Sequence, residues 1–153
     1  MYVYVAGSAY VAGNGRDIAT VQYDASNGSL TWQGTPQYRT YGGTGIDIGV
    51  HVEADAYGNA YVTGILNDGS SADYVTIKYD INGVRQWYTP YNGTANGRDD
   101  PVMLRVDQSN TYVYVTGNSI NSEGRTGIAT ICYLCSNGSV YNNPKRYDVH
   151  GIY

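Results

Sequence analysis

Apolar and polar positions alternate with a period of two in short segments along the chain, and those segments recur. MYVYVAG at 1–7, NAYVTG at 59–64 and TYVYVTG at 111–117 each alternate and end on a glycine (Gly7, Gly64, Gly117), at spacings of 57 and 53 residues. Such alternation predicts β-strands, because successive side chains on a strand point to opposite faces. A second set follows: IATVQYD at 18–24, YVTIKYD at 74–80 and IATICYL at 128–134, whose tyrosines Tyr23, Tyr79 and Tyr133 lie 56 and 54 apart. An aromatic comes after each, Trp32, Trp87 and Tyr141, at spacings of 55 and 54. GVHVEAD at 49–55 matches PVMLRVD at 101–107, and each runs into a turn. Independent marks that keep one period near 54 define an internal repeat.

Turn chemistry divides each unit into about four strands. Asn27-Gly28, Asn82-Gly83 and Asn137-Gly138 occupy one equivalent place, and Asn-Gly between alternating strands signals a hairpin because both residues tolerate positive φ. In the middle unit the strands run, innermost to outermost, VHVEAD, NAYVTG, YVTIKYD and RQWYTPY. A repeated four-stranded antiparallel unit of this length predicts an all-β chain of β-propeller blades. Residues 1–40 form a first blade lacking its innermost strand, 46–93 a second, and 100–153 a third that ends just before the next innermost strand. The expectation is 11 strands, about 2.75 blades. Met1 aligns with Thr111, and Tyr147–Tyr153 aligns with Tyr41–Asp47. Propellers close with roughly four to eight blades. The array is therefore expected to be part of a longer propeller chain or to be completed by other copies as a ring or fibre. A β-solenoid or sandwich is the alternative architecture. Met1 leads straight into strand sequence with no basic region or apolar core, as in a mature or excerpted chain.

Composition narrows the partners. Eighteen Tyr stand against no Phe. Tyrosine keeps ring area but carries a hydroxyl that seeks a partner or water, which suits half-exposed strand faces, sheet edges and surfaces that meet other chains or sugars. Charged residues make up 14%, too few for a long helix or coiled coil. A net charge of -4 disfavours nucleic acid, whose phosphates call for a basic face. No apolar run approaches the ~18 residues of a membrane-spanning helix.

Candidate chemistry is sparse. Asn27, Asn92 and Asn137 head N-x-[ST] sequons on expected exposed turns and are candidate glycosylation sites; the same Asn-Gly pairs also serve simply as hairpin turns. Cys132 and Cys135 form a lone C-x-x-C, too few for a disulfide framework. They are read as two unpaired thiols, with a local or interchain disulfide and a metal-ligand pair as alternatives. His51 and His150 lie in different units, unsuited to a shared zinc site. Asp68, Asp73, Asp99 and Asp100 invite a calcium reading, but the full calcium-loop pattern is missing and they read first as turn residues. No cofactor is expected. Glu53 and Asp55, with His51 nearby, are adjacent along one strand instead of flanking a cleft, which argues against a glycosidase. Trp32 and Trp87, expected on outermost strands, are candidate aromatic contacts for a ligand.

The middle unit carries D-x-x-G-N-x-Y-V-T-G from Asp55 to Gly64, then D-Y-x-T-I-K-Y-D-x-N-G from Asp73 to Gly83, then Trp87 and Tyr91-Asn92-Gly93. In these motifs it resembles the bacterial β-propeller repeat family often called SBBP. The outer units match more loosely: Val11–Asp17 shortens a loop, and Leu134 and Cys135 stand where Asp24 and Ala25 stand. The resemblance implies a secreted or surface-exposed propeller with no shared catalytic residue. The expected function is non-enzymatic, in scaffolding, adhesion or self-assembly, with other copies or the rest of a longer chain as partner and filaments as one outcome. The alternative is a lectin-like or peptide-binding propeller, with carbohydrate or peptide stacked on Trp32 and Trp87.

Overall fold

The computed structural model describes residues 1–34, 37–67, 69 and 71–148. Asp68, His150 and the alignment of 149–153 with the second unit lie outside the described residues. Among the described residues are 11 strands and no helix. They are β1 (Tyr2–Val11), β2 (Gly15–Asp24), β3 (Arg39–Tyr41), β4 (Ile48–Ala54), β5 (Ala60–Asn67), β6 (Ala72–Tyr79), β7 (Arg85–Tyr91), β8 (Asp99–Val106), β9 (Tyr112–Ile120), β10 (Thr126–Leu134) and β11 (Lys145–Tyr147). Within each of three sheets, β1-β2-β3, β4-β5-β6-β7 and β8-β9-β10-β11, strands consecutive in sequence pair antiparallel. Among the described residues the three sheets are not closed.

The sheets stack face to face, with the second in the middle. Ile18 and Trp32 of the first sheet's segment pack against Ala60, Val62, Val75, Ile77 and Tyr79 of the second. From the other face of the second sheet, Tyr61, Tyr74 and Trp87 pack against Leu104, Val113, Val115, Ala129, Ile131 and Tyr133 of the third. Burial follows from this sandwiching. Ala60–Ile65 of β5 are buried without a break because both faces are covered, whereas β9 and β10 alternate because one face is covered. The innermost strands approach most closely. β4 packs against both β1 and β8, and a Cβ on Gly49 would lie 2.5 Å from the Gly7 carbonyl oxygen. On the outer side the first two sheets meet through long side chains: the Tyr41 and Tyr88 rings are 4.8 Å apart, with the Arg85 guanidinium 5.1 and 5.2 Å from their centroids.

Two expectations need correction. The Asn-Gly hairpins are not built with two positive-φ residues: Gly28, Gly83 and Gly138 have φ of 72°, 76° and 73°, while none of the three preceding asparagines has a positive φ. The middle hairpin closes with Gly83 N–H on the Asp80 carbonyl (2.9 Å), a tight turn followed by one left-handed glycine. The Asp80 carboxylate supplies the other acceptor, for the Asn82 and Val84 N–H groups (2.9 Å each). Second, the aromatic of each unit sits on the outermost strand only in the middle sheet. Thr20, Thr76 and Thr130 pair with Arg39, Thr89 and Lys145. Trp87 lies two residues before its paired threonine, but Trp32 lies seven before Arg39 and Tyr141 four before Lys145. The outer strands β3 and β11 are three residues long and begin only at Arg39 and Lys145.

Candidate functional site

The faces where sheets meet hold the densest chemistry. Trp32 is buried against Tyr4 and Tyr79 (centroids 6.1 and 5.7 Å), and its indole N–H donates to the Ile81 carbonyl (3.1 Å). Gln22 Nε2 donates to the same carbonyl (3.2 Å), and Arg39 Nε donates to the Gly83 carbonyl (2.8 Å) while its guanidinium lies over Trp32. The second junction repeats this pattern. Trp87 lies between Tyr61 and Tyr133 (6.0 and 6.5 Å), its N–H donates to the Cys135 carbonyl (3.1 Å), Lys78 Nζ donates there too (2.9 Å), and Thr89 Oγ1 donates to the Gly138 carbonyl (2.8 Å). Buried indoles need a partner for the N–H, and a hairpin carbonyl supplies it each time. Burial pushes the Tyr79 hydroxyl up to about 12 and drives those of Tyr61, Tyr74 and Tyr133 well above the ordinary tyrosine range.

Among the described residues, the stack ends on two uncovered faces. On the first sheet, Val3 and Val5 are about half exposed, although their equivalents Ala60 and Val62, then Val113 and Val115, are fully buried. On the third sheet, Tyr114, Ile128 and Tyr141 are exposed, with Tyr141 stacked on Tyr112 (4.7 Å).

The sequence-level candidates do not converge on a pocket. Trp32 and Trp87 lie inside the two inter-sheet cores, so their rings present no face to a ligand; an uncovered strand would expose them, and it is the neighbouring sheet that buries them. Asn27 and Asn137 are exposed, and each Oδ1 accepts from the serine two residues on (Ser29 N–H 2.9 Å, Ser139 N–H 3.0 Å). Asn92 is exposed and donates to Asn96 Oδ1 (3.1 Å). Cys132 and Cys135 are free thiols, Cys132 half-buried on the open face of the third sheet and Cys135 buried beneath Trp87. Burial pushes both thiols up. Glu53 pairs with Arg105 (3.1 Å) and accepts the Val106 N–H (2.9 Å), tying β4 to β8. Asp55 accepts the Tyr57 and Asn59 N–H groups (2.9 Å each). Asp99 accepts the Gly93 N–H (2.6 Å), and Asp100 pairs with Arg98. These carboxylates hold turns and sheets. Among the described residues no three His, Cys, Asp or Glu side chains gather to hold a metal.

Sequence reasoning passed over Asp47. It is 1% exposed and receives the Gly43 and Asn67 N–H groups (2.8 Å each), pinning the loop before β4 to the end of β5. Asp99, 52 residues later, accepts the Gly93 N–H as Asp47 accepts that of Gly43, and that spacing within the repeat was the available signal. The chain matches no family model and no curated protein.

Proposed function

We propose that the chain is a non-enzymatic, extracellular or cell-surface repeat protein of the β-propeller type, resembling the SBBP repeats, whose role is scaffolding, adhesion or self-assembly, of which the structure favours self-assembly. Its sheets are read as blades because each is an antiparallel meander, the innermost strands lie closest together, and the outer edges of the first two sheets meet through long side chains. The observation that carries the assembly reading is the pair of open end faces, whose internal equivalents are buried. Apolar faces of that kind are normally covered by a partner. A glycan on Asn27, Asn92 or Asn137 fits the extracellular setting. The carbohydrate- or peptide-binding alternative loses its best stacking groups, since both indoles are inside the cores.

Light scattering across a concentration series tests the reading. Mass rising above the 16.6 kDa of one chain supports it, and a particle of one chain mass at every concentration overturns it.

A further inference from the structure

The two internal junctions use the same knobs and holes, and one unused set of each lies at the ends of the stack. Ile18 of the first sheet shares the space over Gly64 of the second with the Ile48 carbonyl of β4, an added Cβ lying 2.6 Å from Ile18 Cδ1 and 2.5 Å from that oxygen. One repeat later, Tyr74 shares the space over Gly117 with the Asp100 carbonyl of β8, the Tyr74 hydroxyl lying 2.6 Å from such a Cβ. At the hairpins, Trp32 covers Gly83 and Trp87 covers Gly138, at 2.7 and 2.6 Å. An outer-strand donor then bonds the covered glycine's carbonyl, Arg39 to Gly83 and Thr89 to Gly138.

Carrying the repeat forward places the next knobs at Ile128 and Tyr141 and the next donor at Lys145; all three are exposed on the third sheet. Carrying it back places the preceding holes at Gly7 and Gly28 on the first sheet. An added Cβ at either would meet no described atom within 4 Å, although Gly28 has the same left-handed φ as its covered equivalents.

We propose that a second copy of this chain docks head to tail. The third sheet of one copy covers the first sheet of the next, with Ile128 over Gly7, Tyr141 over Gly28, and Lys145 donating to the Gly28 carbonyl. The docking rests on the assembly reading above and goes beyond it by naming the partner, the faces and the register. A second copy is the occupant because one chain carries both halves of a junction it already forms twice internally. A two-fold pairing would set knob against knob, so the contact is heterologous and propagates into a filament or closes into a ring.

Two variants block one face each. Gly7→Leu fills a hole at a position whose φ is not left-handed, and Ile128→Lys places a charge on a half-exposed knob. Each is checked for wild-type circular dichroism and melting when dilute. Each alone is expected to stay at one chain mass, its dissociation constant raised by roughly 30-fold or more, as for a hot-spot residue. Mixed in equal amounts, they retain one intact junction and should stop at twice 16.6 kDa. Wild-type chains that associate while the mixture stays monomeric, or either variant associating alone like wild type, overturn the head-to-tail register and leave the assembly reading standing. A wild-type chain that never associates overturns both and assigns the open faces to a different occupant, such as further repeat sequence.

Discussion

Adding one methyl group at Gly138 and, separately, at Gly28 separates backbone strain from packing in two matched hairpins. The glycines share a φ of 73° and 72°, and each N–H closes its turn onto the carbonyl four residues back at 2.8 Å. Their surroundings differ. A Cβ at Gly138 would lie 2.6 Å from Trp87 Cδ2 and Cε3 and 3.0 Å from Thr89 Oγ1, whereas at Gly28 it would enter open space. Gly28→Ala therefore incurs only the left-handed backbone cost, about 1–2 kcal/mol. Gly138→Ala incurs that cost plus overpacking of a buried indole, a further ~1–3 kcal/mol. Trp87 cannot withdraw cheaply, because its N–H would leave the Cys135 carbonyl and its ring would leave Tyr61 and Tyr133. The assay is urea and thermal denaturation in an Ile128→Lys background, so that docking of a second copy does not cover Gly28. For a chain of this length 1 kcal/mol corresponds to roughly 2–4 °C in Tm. Gly138→Ala should melt at least ~2 °C below Gly28→Ala. Equal losses at the two sites would refute the claim that Trp87 is seated on Gly138.

Two further outcomes follow from the buried tyrosines and the thiols. Tyr61, Tyr74, Tyr79 and Tyr133 keep their protons in the folded state above the pH near 10 at which an unfolded chain's tyrosines ionise, so their contribution is whole below about pH 10 and is lost as pH rises towards 12 and beyond. Urea midpoints should fall over that range, with tyrosinate absorbance rising together with unfolding; a flat midpoint to about pH 12 would contradict the burial of these rings. In the Ile128→Lys background at neutral pH, a thiol reagent should modify half-buried Cys132 first and Cys135, 3% exposed, only on unfolding. Equal rates, or a mass two hydrogens short of two free thiols, would count against this arrangement.

Much of the architecture was legible because a strand's alternation and a hairpin's turn residues are local properties. The two sets of three segments at one period became β1, β5 and β9, then β2, β6 and β10, the matched pair at 49–55 and 101–107 became β4 and β8, and the count of three, four and four strands appears in the three sheets. Trp32 was expected on an outermost strand, but β3 begins only at Arg39, while the spacing of the aromatics, 55 residues from Trp32 to Trp87, carries no mark of that difference. The candidate chemistry fared differently. Glu53, Asp55 and Asp99 could be found by residue type, but their partners at Val106, Asn59 and Gly93 come from backbone positions that residue type does not mark.

What the sequence determined by itself is the repeat: where strands run, where they turn, and which positions in successive units are equivalent. What tertiary structure alone decided is which equivalents are covered. Trp32, Trp87 and Tyr141 occupy one repeat position, as do Gly28, Gly83 and Gly138, yet two members of each set are buried and one is exposed. Burial of a sheet face belongs to the sheet stacked against it, and that neighbour lies some 54 residues away along the chain or, by the docking proposed above, on another copy.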